Sequence, residues 1–75
     1  MDKQTMPTKL PIPARVKAAR IKLGLTQSQL AEKIGKLRPW IAAIENGSRD
    51  LANVEGNALV RMARALNTTV EKLIG

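Results

Sequence analysis

The chain contains no histidine and no cysteine. Those absences remove an imidazole general base, a thiolate nucleophile, a Cys/His zinc site and every disulfide. Phenylalanine and tyrosine are missing too, so Trp40 is the one aromatic residue. Acidic residues number only six, and none forms an obvious pair in an apolar setting. Acid–base catalysis therefore has little to work with, and the chain reads as a non-enzyme that needs no cofactor. Long apolar runs are also absent. The longest, Trp40 to Ile44, is far too short to span a bilayer. The N-terminal segment has lysines but no apolar stretch of the signal-peptide kind. Together these features predict a cytoplasmic protein with no membrane partner.

What is present is basic charge and a modest apolar core. Seventy-five residues, 44% of them hydrophobic, make one small domain with enough apolar surface to fold. Thirteen Lys and Arg against six Asp and Glu leave a net charge of +7. The excess is not evenly spread. Residues 1–38 hold nine basic and two acidic side chains, whereas residues 39–75 hold four of each. Such asymmetry points to a polyanionic partner, nucleic acid first and an acidic membrane surface second. On charge alone, the plainer reading of basic groups solvating helix faces stays open.

Three of the four prolines, Pro7, Pro11 and Pro13, crowd the start. Proline lacks an amide donor and restricts its predecessor, so residues 1–13 read as a flexible arm and 14–75 as the folded domain. A first helix, with Pro13 in its first turn, is expected to run to about Leu23 and end at Gly24, burying Val16, Ala19 and Leu23. Thr26 and Gln29 fit a capping box for a second helix that buries Leu30, Ala31 and Ile34. After Gly35 a third helix spans roughly Arg38–Glu45 and buries Ile41 and Ile44. Asn46-Gly47 signals a turn, and 48–56 reads as a polar loop closed by Asn53, Glu55 and Gly56. A fourth helix covers about Asn57–Leu66, with Leu59, Met62, Ala63 and Leu66 inward. Asn67 suits a left-handed cap. Thr68, with Glu71 at capping-box distance, is slightly favoured over Thr69 to start a last helix burying Val70, Leu73 and Ile74. No segment alternates with a two-residue period. The fold class is all-α, with five short helices.

Ala31, Gly35, Ile41 and Ile44 carry the functional signal. Two helices joined by so short a turn cross steeply, which requires a small Ala31 beneath the second helix. Gly35 must tolerate positive φ, and Ile41 with Ile44 anchors the second helix while leaving its other side free. This is a helix-turn-helix pattern, whose second helix enters the DNA major groove. An ordinary helical hairpin in a small bundle is the plainer alternative.

The segments Arg15-Val-Lys-Ala-Ala-Arg-Ile-Lys-Leu-Gly-Leu-Thr-Gln27, Leu30-Ala-Glu-Lys-Ile-Gly35 and Ile44-Glu-Asn-Gly47 resemble the lambdoid phage repressor and Cro family, also called the Xre family. The similarity extends over about residues 14–74, through Ala63-Arg-Ala-Leu66 and Val70-Glu-Lys-Leu73. It implies a five-helix lambda-repressor-like domain that binds operator DNA, usually as a dimer. Gln27 matches the family's helix 2 glutamine, which grips a backbone phosphate, at a helix N-terminus suited to an anion. Asn46 and Gly47 match a loop that meets another phosphate. Arg20 and Glu45 match an ion pair joining helix 1 to the end of helix 3, where the plainer reading of Glu45 is an exposed helix end.

The third helix departs from the family pattern. Leu37 cannot cap it, and Arg38, Pro39, Ala42 and Ala43 occupy the positions that the resemblance implies face the bases. Only Arg38 can make a bidentate contact, preferentially with guanine, while Pro39 and Ala43 suit thymine methyls. Base readout should be sparse, with DNA shape and deformability contributing more than usual. Trp40 reads either as packed against helix 2 or as meeting the sugar-phosphate backbone or a protein partner. Lys36, Ser48 and Arg49 are further phosphate candidates that also read as solvated surface residues. Lys3 and Lys9 in the arm either wrap the duplex or belong to a disordered tail.

The expected function is sequence-specific binding of double-stranded DNA by a transcriptional regulator, a repressor that occupies its operator as a weak homodimer joined through the last two helices. The alternative is an antitoxin that holds a toxin protein and represses its own operon. A basic bundle on an anionic membrane would leave the turn and spacing pattern a coincidence.

Overall fold

Helix α1 (Ile12–Lys22) opens behind Pro11 and holds Pro13 in its first turn, where a missing amide leaves no hydrogen bond unmade. The computed structural model describes residues 10–75, so the greater part of the expected arm, with Lys3 and Lys9, lies outside the described residues. Ile12 and Pro13 are helical. The folded unit therefore begins before the expected boundary at residue 14, because a proline at the second helical position opens a helix as readily as it ends an extended segment. Gly24, at φ +72°, turns the chain out of α1.

Helix α2 (Gln27–Ile34) begins at the expected capping box. The Thr26 hydroxyl accepts from the Gln29 amide at 3.0 Å, and the Thr26 amide donates to Gln29 Oε1 at 2.8 Å. Gly35, also at φ +72°, makes the tight turn into α3 (Arg38–Asn46), whose start at Leu37 has no side-chain cap. Gly47 at φ +84° ends it. Helices α4 (Gly56–Ala65) and α5 (Val70–Ile74) complete the order.

Four local expectations are corrected. Leu23 is 42% exposed rather than inward, because α1 already ends at Lys22. The loop over 48–56 is interrupted by a 3-10 turn at Leu51–Asn53, capped by the Asp50 carboxylate, and it drives Leu51 into the core. Gly56 belongs to α4 rather than closing the loop before it. Thr69, not Thr68, caps α5, its hydroxyl accepting from the Lys72 amide at 3.1 Å. Asn67 at φ +56° reverses the chain, and the Thr68 amide closes back onto the Ala63 carbonyl at 2.8 Å. That bond completes the end of α4, leaving Thr69 as the first extended residue able to face the next turn.

Val16, Leu30, Ile34, Ile41, Ile44, Leu51 and Met62 form the buried centre. Helix α3 packs on α1 and α2, α2 also packs on α4, and α5 closes against α1 and α4. Arg15 fastens that closure: its Nη1 donates to the carbonyls of Leu73 at 3.1 Å and Gly75 at 2.9 Å. A cation thereby meets the unpaired carbonyls that end a helix. Among the described residues no helix is long and apolar enough to cross a membrane.

Candidate nucleic-acid interface

Ile41 and Ile44 point α3 into the core, and the 3.6-residue period then turns Pro39, Ala42, Ala43 and Asn46 to the opposite side. Arg38 and Pro39 are exposed, and Ala42 and Ala43 are partly so. The four expected base-facing residues therefore sit together on or beside the free side of α3. The two flanks of that helix carry different chemistry.

On one flank a chain of polar contacts crosses three helices. Arg20 of α1 grips Glu45 of α3 through two parallel bonds, Nε to Oε2 at 2.6 Å and Nη2 to Oε1 at 3.0 Å. Arg20 Nη1 also donates to the Leu25 carbonyl at 2.8 Å. The two side chains are only 11% and 4% exposed, so water screens the pair weakly. The hydrogen bond to Glu45 is the main cause that raises the Arg20 pKa above its ordinary value, opposed in part by burial. From Glu45 Oε1 the chain continues to Gln27, whose Nε2 donates at 3.1 Å. Gln27 Oε1 in turn accepts from Arg38 Nη1 at 3.2 Å. The Gln27 carboxamide is thus engaged at both ends, and Arg38 is steadied across the gap between α2 and α3. Spacing alone does not reveal this link, because its partners stand eleven and eighteen residues apart in the chain.

The Gln29 amide is taken by Thr26. The first two amides of α2, those of Gln27 and Ser28, have no carbonyl four residues back within the helix. Together with the positive end of the helix dipole they form a surface suited to a phosphate.

Trp40 occupies the other flank. It is half-buried and packs against the core, while Lys36 Nζ lies 5.2 Å and Arg49 Cζ 5.8 Å from its ring centroid. Both cations are within range of the indole's negative face, so the ring engages basic groups from both ends of α3. At the end of α3, the Asn46 side-chain oxygen accepts from the Ser48 amide at 2.8 Å. The Arg49 amide and the Ser48 hydroxyl both donate to the Ala43 carbonyl, at 3.1 Å and 3.4 Å. These bonds hold Asn46, Gly47, Ser48 and Arg49 as an ordered, exposed turn.

A helix-turn-helix family model matches residues 16–73. Control protein C.SmaI of Serratia marcescens is 44% identical over 50 residues, which span 67% of this chain and 56% of that protein. The chain thus matches just over half the length of that relative. The fold is similar to that of the biofilm master regulator SinR, solved in complex with DNA, with a TM-score of 0.78 and 28% identity over 87% of this chain and all of that one. It is also similar to the restriction-modification controller protein C.AhdI of Aeromonas hydrophila, with a TM-score of 0.74 and 28% identity over 84% of this chain and 91% of that one.

Proposed function

The chain belongs to the helix-turn-helix family, and from that premise we propose that it is a DNA-binding transcriptional regulator, rather than an enzyme, that represses by occupying an operator. The observation that carries this reading is the free side of α3, held outward by Ile41 and Ile44 and flanked by basic groups on both sides. SinR is described as bound to DNA, and C.SmaI and C.AhdI as controller proteins, which favours a regulator over an antitoxin.

In this reading α3 lies in the major groove, and Arg38 contacts a guanine edge while Pro39, Ala42 and Ala43 face the bases. Gln27, with the free amides of α2, meets a phosphate on one side. Lys36, Asn46, Gly47, Ser48 and Arg49 meet phosphates on the other. Arg20 and Glu45 brace α1 to α3 so that both sets of contacts share one frame. A weak homodimer would set two copies of α3 about 34 Å apart, one turn of DNA.

Selection of bound sites from random duplexes, followed by competition with unrelated DNA at one stated salt concentration, tests the proposal. A recurrent site with paired half-sites is expected. Equal affinity for selected and random duplexes would overturn it.

A further inference from the structure

A positive patch that the DNA-binding reading leaves unused lies between α2 and α4. Lys33, Arg61 and Arg64 line a groove of about 320 Å³ together with Ala65. All three cations are exposed. Among the described residues no carboxylate comes within ion-pair distance of them, the one such pair being Arg20 with Glu45. Lys33 and Arg64 stand in the last turns of α2 and α4, where a cation offsets the helix dipole. Arg61 has no such benefit. It stands three residues before Arg64 on the same helix, so the two like charges oppose each other, and Lys33 adds a third across the groove. An anion seated between them reverses that repulsion.

Position decides which anion fits. Both α3 and α4 pack against α2, and both turn their inner residues, Ile41 and Ile44 of α3 and Leu59, Met62 and Ala63 of α4, into one core. Helices that share a core present their outer sides in different directions, so Arg61 and Arg64 do not lie on the free side of α3. The groove touches the helix-turn-helix at one point, where Arg61 Nη1 lies 3.8 Å from the place a Cβ on Gly35 would take. From there it runs back along α2 and α4. A duplex, with a persistence length of about 50 nm, is too stiff to leave α3 and follow that path over so small a domain. A polypeptide bends within a few residues. We propose that this groove docks an acidic segment of a partner protein, its carboxylates paired with Lys33, Arg61 and Arg64, while α3 stays on its operator. Val60, 40% exposed and one turn before Arg64, gives the segment an apolar neighbour. The inference goes beyond the DNA-binding reading and takes from it only the place of the duplex.

A short oligoglutamate peptide is the probe. It is titrated into the isotope-labelled full chain alone and again with the selected duplex bound, with amide chemical shifts as the readout. Shifts centred on Lys33, Arg61, Arg64 and Ala65 are expected in both titrations. Replacing all three cations (Lys33→Ala, Arg61→Ala, Arg64→Ala) should weaken the peptide about tenfold, the combined worth of three exposed ion pairs. The same variant should bind the selected duplex within about twofold of the parent, since charges beyond a Debye length from the phosphates are screened. Removing equal charge elsewhere (Lys17→Ala, Lys22→Ala, Lys72→Ala) should change peptide affinity by less than about twofold, which separates a site from net charge. Circular dichroism verifies the fold of both variants. Peptide binding that the duplex abolishes overturns the proposal, because the peptide then only imitates DNA. Loss of duplex affinity with a flatter salt dependence in the first variant also overturns it, assigning the groove to flanking phosphates. So does equal loss of peptide affinity in the two variants. These outcomes leave the DNA-binding reading standing, whereas failure to recover a selected site overturns that reading and leaves the free-chain titration to decide this one.

Discussion

Glu45 is the residue on which the polar framework of the interface converges. It takes two bonds from Arg20 and one from Gln27, which in turn holds Arg38. Glu45→Gln removes the charge while keeping the shape, leaving a largely buried guanidinium uncompensated. The expected loss is about 1–2 kcal/mol, on the order of 10 °C in Tm for a domain of this size, below the full cost of breaking a wholly buried pair. Thermal melts of the two proteins check it. The Arg20 pKa is raised in the folded state, so its contribution is fully present below the ordinary arginine value and is lost only as pH rises through the higher folded one. Arg20 therefore adds no pH dependence to the melting temperature across neutral and mildly alkaline conditions. Arg38→Ala should relax discrimination at one base pair by about 1–3 kcal/mol with little change elsewhere in the site. Binding to a set of single-base variants of the selected site measures that.

Among the elements, the turn between α2 and α3 is the most demanding. Gly35 sits at φ +72°, and a Cβ placed there would meet nothing nearer than Arg61 Nη1 at 3.8 Å. Substitution is opposed by backbone strain rather than by collision. Gly35→Ala should therefore destabilise by about 1–2 kcal/mol, and Gly35→Asn by less, since asparagine tolerates the left-handed region. Urea denaturation of both variants separates strain from packing, because a steric cause would make the larger asparagine worse. This turn and the Thr26 capping box were legible in the sequence because their signals are local: a glycine after an apolar helical run, and a hydroxyl three residues before a glutamine. Leu51 was not. It stands with Ala52 and Val54 in a short stretch that has no helical period to mark an inner side, and it becomes core only because the Asp50-capped turn faces it inward. The choice between Thr68 and Thr69 was equally hidden, since it depends on which amide the end of α4 consumes.

At the scale of the whole molecule, affinity and specificity are divided between different chemistries. In the proposed reading the net +7 supplies attraction to any duplex, whereas the free side of α3 is mostly apolar. Binding should weaken steeply with salt, and each cation that neutralises a phosphate should add about 0.9 to the slope of log affinity against log salt. Lys36→Ala and Arg49→Ala should each flatten that slope by about one unit and weaken selected and random duplexes alike. Salt titrations of both variants check this, and an unchanged slope would return the two residues to the role of solvated surface.

Composition, helical periodicity and the glycine-centred turns were enough to determine an all-α chain with a helix-turn-helix and an outward-facing third helix. Those features follow from burial and backbone preference within a few residues of each other. Tertiary structure alone decided how the polar groups around α3 are joined to one another. Gln27 and Arg38 look like independent contacts in the sequence, yet they are joined to each other and through Glu45 to Arg20. Lys36 and Arg49, thirteen positions apart, both lie over the Trp40 ring. Such links depend on where rigid helices cross. Each is a short-range interaction between residues that only the packed core brings within reach.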